Sequence, residues 1–172
     1  IPTTSGSGSE ATDFAVLTHG KTKYPLVDPR LRPKLAILDS DLLRELPPAL
    51  IADTGFDVLT HAVESATAPG AGTIPGLLAA EAFRTAYACL PASYAGDTSV
   101  RLRLHMASTL AGIAFSHTGL GLCHAMSHAL GARFHVPHGR LNAILLPAAI
   151  ASNAQGAGSG YARLARAAGL GG

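Results

Sequence analysis

At 172 residues, 48% of them apolar and 14% charged, the chain has the composition of a globular protein with a sizeable core. Its length allows one ordinary domain, or one domain joined to part of another. A formal net charge of +2 offers no basic stripe for nucleic acid, and Gly, Pro, His or Ser breaks each apolar stretch before it could span a membrane.

Residues 1–46 read differently from residues 47–172. After a Gly/Ser-rich loop at 5–9, two short apolar runs at 15–18 and 24–27, separated by Gly20 and Lys21, predict a β-hairpin. A third apolar run at 35–38, bounded by Pro33 and Asp39, reads as a buried strand. From Pro47 the pattern is helical. Pro47 and Pro48 open a helix to about residue 67, with Leu50, Val58, Leu59 and Val63 at helical spacing. A loop is expected at 69–75, then Ala/Leu-rich helices at 77–94 and 100–115, a shorter one at 120–131 and another from Pro137 to about residue 151. Residues 161–168 can form a last helix within an Ala/Gly-biased end, and no internal repeat is visible. The fold expected is the tail of an α/β nucleotide-binding domain (1–46) followed by an all-helical domain (47–172). The abrupt opening on Ile-Pro-Thr-Thr and the end at Gly-Leu-Gly-Gly suggest part of something longer.

The eight histidines are the unusual count, and five fall between His117 and His138. Asp57 and His61 stand at i, i+4, one turn apart on a helix face, with Glu64 at i+7 on roughly the same face. A carboxylate oxygen with an imidazole nitrogen suits a divalent first-row metal, although alone such a pair more often just supports its helix. His124 and His128 repeat the spacing without the glutamate that a zinc protease uses as base, so a core role is as good a reading for the pair in isolation. His138, between Pro137 and Gly139 at a helix start, is expected to stay neutral and available to a metal, because the helix N-terminus disfavours imidazolium; His135 is a competitor for that role. The run from Thr3 to Glu10 offers backbone amides and hydroxyls to a phosphate or ribose, a weak pattern that also suits a linker.

In their joint order these motifs resemble the iron-containing alcohol dehydrogenase family. Ile1-Pro-Thr-Thr-Ser-Gly-Ser-Gly-Ser-Glu10 resembles the segment opening the second half of that family's cofactor domain. Thr54-Gly-Phe-Asp-Val-Leu-Thr-His-Ala-Val-Glu64 resembles its first metal-binding helix. The segments 119–128 and 137–147 resemble its second long motif. The likeness runs to about residue 153. It implies metal ligands Asp57, His61, His124 and His138, with His128 beside nicotinamide and substrate as the catalytic histidine. Thr3, Thr4 and Ser7 fall where the family lines its cofactor cleft. Asp57 separates the chain from maleylacetate reductases, which carry Asn at that place, whereas His117 departs from relatives that often have Asn. The family's pyrophosphate loop would lie upstream of residue 1, so this segment is expected to hold metal better than NAD.

The activity implied is reversible hydride transfer between a small primary alcohol or aldehyde and NAD or NADP, with Fe(II) as metal and Zn(II) able to compete. Rival readings are a zinc-dependent glycerol dehydrogenase of the same superfamily, a metal-dependent hydrolase using Glu64 or His128 as base, and an inert helical core. The resemblance further implies a homo-oligomer, a dimer or larger. Cys89 and Cys123 make no disulfide framework and fit a reducing cytoplasm, and the run Gly119-Leu-Gly-Leu122 before the histidine motif resembles that of relatives housed in bacterial microcompartments.

Overall fold

Two adjacent prolines set where the helical part begins. Pro47, extended at φ −59° and ψ 142°, caps α1 (Pro48–Thr67), and Pro48 takes the first helical position, where a missing N–H costs nothing. The computed structural model describes residues 1–20 and 22–170. Ahead of α1, β1 (Phe14–His19) and β2 (Thr22–Val27) form the expected antiparallel hairpin, with Phe14 opposite Val27 and His19 opposite Thr22. Gly20 supplies the positive φ of 60° at the turn; Lys21 lies outside the described residues. The strand expected at 35–38 does not form. Leu35 is 75% and Ile37 48% exposed, and no neighbouring strand offers the run a hydrogen-bonding ladder among the described residues.

Four more helices follow α1: α2 (Thr73–Tyr94), α3 (Arg101–Thr118), α4 (Leu122–Phe134) and α5 (His138–Ala167). α2 starts four residues before the expected 77, because Pro75 falls in its first turn, where the backbone N–H has no helical partner anyway. The break expected after residue 151 is a kink at Ala157 (φ −126°, ψ 21°) within α5. None of the described helices is long and apolar enough to cross a membrane.

α1 is the hub. One apolar cluster joins its Ile51, Val58, Leu59 and Ala62 to alanines of α2 and α3, and a second joins its Val63 and Ala66 to Cys123, Leu146, Ala149 and Leu164. The alanines let helices approach closely, and all ten residues from Asp57 to Ala66 are buried. The N-terminal loop is pinned onto α3. Ser5 Oγ lies 2.9 Å from His105 Nδ1, and Thr109 Oγ1 donates to Glu10 at 2.6 Å. Gly8, at φ 60°, sits so near α3 that a Cβ there would stand 2.8 Å from Gly112 Cα. At the other end, a Cβ on Gly139 would lie 1.8 Å from the Asp53 carbonyl oxygen, so α5 starts in direct contact with the α1 backbone.

Two outcomes test this packing. Gly139→Ala must push α5 off α1 and is expected to lower stability by about 2–3 kcal/mol or more, read from the denaturation midpoint. Burial holds the His105 imidazole below its usual pKa, against the pull of Glu10. Below about pH 6.5 the unfolded chain therefore binds a proton that the folded one refuses, and stability falls as pH drops through that window. His105→Asn is expected to flatten that part of the Tm–pH curve while leaving the contribution of the other histidines.

Candidate metal centre

Because α1 is buried from Asp57 to Ala66, the polar residues of that stretch are carried into the interior. Asp57 and Glu64 are only 7% and 8% exposed, and a buried carboxylate is costly unless paired. The pairing comes from three directions: His61 from the next turn of α1, His124 from α4 and His138 from the first turn of α5. The Arg140 guanidinium, bidentate to Asp53 at 3.0 and 3.1 Å, ties that first turn of α5 to α1.

The distances separate a metal site from a hydrogen-bonded cluster. Asp57 Oδ1 stands 3.5 Å from His124 Nε2, 3.6 Å from His138 Nε2 and 3.8 Å from His61 Nε2. Direct N–H···O bonds would be about 2.7–3.2 Å. Around a tetrahedral ion with bonds of about 2.0–2.2 Å, two ligand atoms stand about 3.3–3.6 Å apart. The His124 and His138 separations match the second geometry, and that of His61, at 3.8 Å, is slightly too long for it. Asp57, His124 and His138 offer ligand atoms all within 4.8 Å of one another, and His61 is the widest-set of the four, outside that trio. Its ring is held between Phe115 and His124, each stacked at 4.5 Å between centroids, with its Nδ1 buried and unpartnered.

Asn142, one turn beyond His138, was missed in the sequence, although its i, i+4 spacing from His138 could have flagged it. Its Nδ2 donates to Asp57 Oδ1 at 2.8 Å and lies 3.3 Å from His124 Nε2 and 3.4 Å from His138 Nε2. Three acceptors thus converge on a single donor nitrogen, the arrangement that also suits a cation. The residues present fit a divalent ion.

Electrostatics agree. Burial opposes charge on Asp57, but His61, His124 and His138 outweigh it and hold the carboxyl well below the usual carboxylate range. Burial lowers His61 and His138 to about 4 each, against the pull of Asp57, so both are neutral and carry free lone pairs at neutral pH. His124 differs: burial works against its charge, yet Asp57 and Glu64 hold it up at about 8, so its Nε2 offers a lone pair only once an arriving cation displaces the proton there. Cys123 is no ligand: burial, with Glu64 adding to it, pushes the thiol up to about 11, and Sγ points to the Asn142 carbonyl at 3.6 Å.

His128 is half-buried at the rim. It stacks on His138 at 4.7 Å and lies farther from His124, at 6.4 Å between centroids. Burial, then His124 and Lys23, keep it below its usual pKa. Lys23, on β2, is a second residue the motifs did not flag; it reaches the site only through the contact of the hairpin with α4. His135 ends α4 in the left-handed region at φ 55°, exposed, and does not compete with His138; His117 is exposed too. Thr3 and Ser7 are exposed and Thr4 half-buried, and among the described residues none of the three hydrogen-bonds to the histidines. Their loop meets the centre through Gly6, whose backbone lies beside His61.

A buried carboxylate–imidazole cluster set between helices, with a half-open histidine at its rim, gives the helical domain a donor set suited to a divalent metal ion. Comparison with known families is specific: the model for the C-terminal part of the Fe-containing alcohol dehydrogenase family matches residues 51–172, and that for iron-containing alcohol dehydrogenase matches residues 1–40. The chain belongs to the iron-containing alcohol dehydrogenase family.

It is 47% identical to the 1-propanol dehydrogenase PduQ of Salmonella typhimurium, over 99% of this chain and 48% of that protein. It is 45% identical to an NADPH-dependent butanol dehydrogenase of Clostridium saccharobutylicum, over 96% of this chain and 43% of that one. The solved iron-containing alcohol dehydrogenase of Thermococcus thioreducens superposes with a TM-score of 0.92 at 44% identity, covering 99% of this chain and 45% of its own. The chain spans about half the length of the curated relatives it matches.

Replacing His138 by Ala is expected to abolish stoichiometric metal after dialysis against buffer, whereas His128→Ala should retain it. Metal analysis of the two proteins decides, and equal loss from both would place His128 among the ligands.

Proposed function

We propose that the protein is a metal-dependent alcohol dehydrogenase that interconverts a small primary alcohol and its aldehyde with NAD or NADP, using Asp57, His61, His124 and His138 as ligands. The observation that carries the reading is the pair of imidazole nitrogens, of His124 and His138, at metal-sharing distances from one buried carboxylate oxygen, with the His61 nitrogen next to them at 3.8 Å. Iron is the ion we favour, with zinc a competitor for the same oxygen and nitrogen donors. When bound, the ion supplies Lewis acidity toward the alcohol oxygen and the nicotinamide accepts the hydride.

The chain's own residues supply the rest. The three imidazoles and one carboxylate hold a dication with net positive charge, which favours negative charge on oxygen beside it. His128, kept neutral by burial, His124 and Lys23, accepts the alcohol's proton and passes it toward solvent at the rim. Asn142 Nδ2 donates to the same Asp57 oxygen that faces the imidazoles, so its amide borders the ligand atoms directly. The loop carrying Thr3, Thr4 and Ser7, braced on α3, borders the cofactor. The names of two relatives, a 1-propanol dehydrogenase and an NADPH-dependent butanol dehydrogenase, support a short alcohol as substrate. Two free, buried thiols fit a reducing compartment, and we take the working form to be a cytoplasmic homo-oligomer.

The test is spectroscopic. Protein loaded with Fe(II) or Zn(II), mixed with a primary alcohol and NAD or NADP, is expected to develop reduced-nicotinamide absorbance that His138→Ala abolishes. Metal-dependent ester cleavage without that absorbance would instead make it a hydrolase. Glu64 is a poor base for that alternative, since both its oxygens are engaged on the far side of His124.

A further inference from the structure

Glu64 is the one buried carboxylate that the proposed chemistry leaves unused. It projects from α1 away from the ligand atoms and meets the start of α4. Oε2 accepts from the Gly121 amide at 2.8 Å and lies 2.6 Å from His124 Nδ1, while Oε1 accepts from the Cys123 amide at 2.7 Å. α4 has no side-chain cap of its own, so a residue 57 positions earlier in the chain supplies one. Gly121 leaves the room: a Cβ there would stand 2.9 Å from Oε1.

We infer that Glu64 is a positioning residue, one that fixes the His124 ring with its proton on Nδ1 and its Nε2 lone pair turned toward Asp57, coupling the docking of α4 to metal affinity. The geometry leaves little choice. A carboxylate that already accepts two amide N–H groups can only accept again, so the ring nitrogen facing it must donate. A neutral imidazole that donates from Nδ1 presents a bare Nε2, and that nitrogen is the one 3.5 Å from Asp57 Oδ1. Carboxylate partners of this kind orient metal-bound histidines and raise their basicity. The same carboxylate sits on the partial positive charge of the helix N-terminus, so His124 and the first turn of α4 are held by one group. A capping residue with no other role would need only the amides.

This inference rests on the metal centre proposed above, and the experiment separates the two. Zinc affinity is measured by chelator competition for wild type, Glu64→Gln, His124→Ala and the double variant, with the thermal midpoint of each metal-free protein alongside. Glutamine cannot serve both amides and the ring, so Glu64→Gln is expected to weaken zinc binding about 10–100-fold. In the His124→Ala background it should cost no further affinity, although the metal-free midpoint still drops. Equal losses in both backgrounds, or unchanged zinc affinity in Glu64→Gln, overturn the positioning role. Wild type that binds no stoichiometric zinc fails the metal centre instead. Should Glu64→Gln not fold, ring 15N spectra of the wild-type zinc protein decide: zinc on His124 Nε2 with a proton on Nδ1 supports the role, and zinc on Nδ1 overturns it.

Discussion

Two carboxylates on the buried second half of α1 govern this structure. α1 buries every residue from Asp57 to Ala66, so Asp57 and Glu64 cannot reach water and must find positive or donating partners inside. Each is answered from a different direction. Asp57 is faced by three imidazoles and the Asn142 amide; Glu64 is faced by the His124 ring and two backbone amides. His124 stands between the two carboxylates, and α4 and α5 are held where they are by those contacts. Close helix approach at Gly139, and the Arg140–Asp53 pair beside it, bring the start of α5 within ligand distance of Asp57.

The donor set explains why the centre suits some cations better than others. Oxygen and imidazole nitrogen, with no thiolate, accept ferrous iron and zinc alike, and the nearby thiol of Cys123 is kept protonated and turned to a carbonyl. Neutral His61 and His138 offer lone pairs, and Asp57 contributes the single negative charge. The rim histidine, His128, stacks on His138, and burial with His124 and Lys23 of the hairpin holds its pKa down against the opposing pull of Asp57. The strands therefore influence the centre through charge, while the helices supply the ligands.

Much of this was legible in the sequence. Helical spacing of apolar residues located α1, Ala/Leu-rich composition located α2 and α3, and α5 was expected as two pieces at 137–151 and 161–168, while the i, i+4 pairs at 57/61 and 124/128 announced side chains sharing a face. What local spacing could not carry was the meeting of faces from separate helices; the resemblance to a family supplied that joint order. The failures are instructive in the same way. The run at 35–38 is apolar enough for a strand, yet a strand is made by its neighbour, and none of the described residues pairs with it. Pro75 looked like loop punctuation, but in a first helical turn its missing N–H is no loss. Lys23 went unnoticed because its importance lies in tertiary contacts, Asn142 because only its i, i+4 spacing from His138 pointed to it, and Glu64 was read toward the ion when its carboxylate faces the other side of His124.

X-ray absorption at the edge of the bound metal tests the central claim most directly. Iron- or zinc-loaded protein should show a shell of nitrogen and oxygen scatterers at about 2.0–2.2 Å, with the outer-shell signature of three imidazole rings and no sulfur. A sulfur scatterer at about 2.3 Å, or fewer than two imidazoles, would contradict the convergence of Asp57, His61, His124 and His138 on one ion.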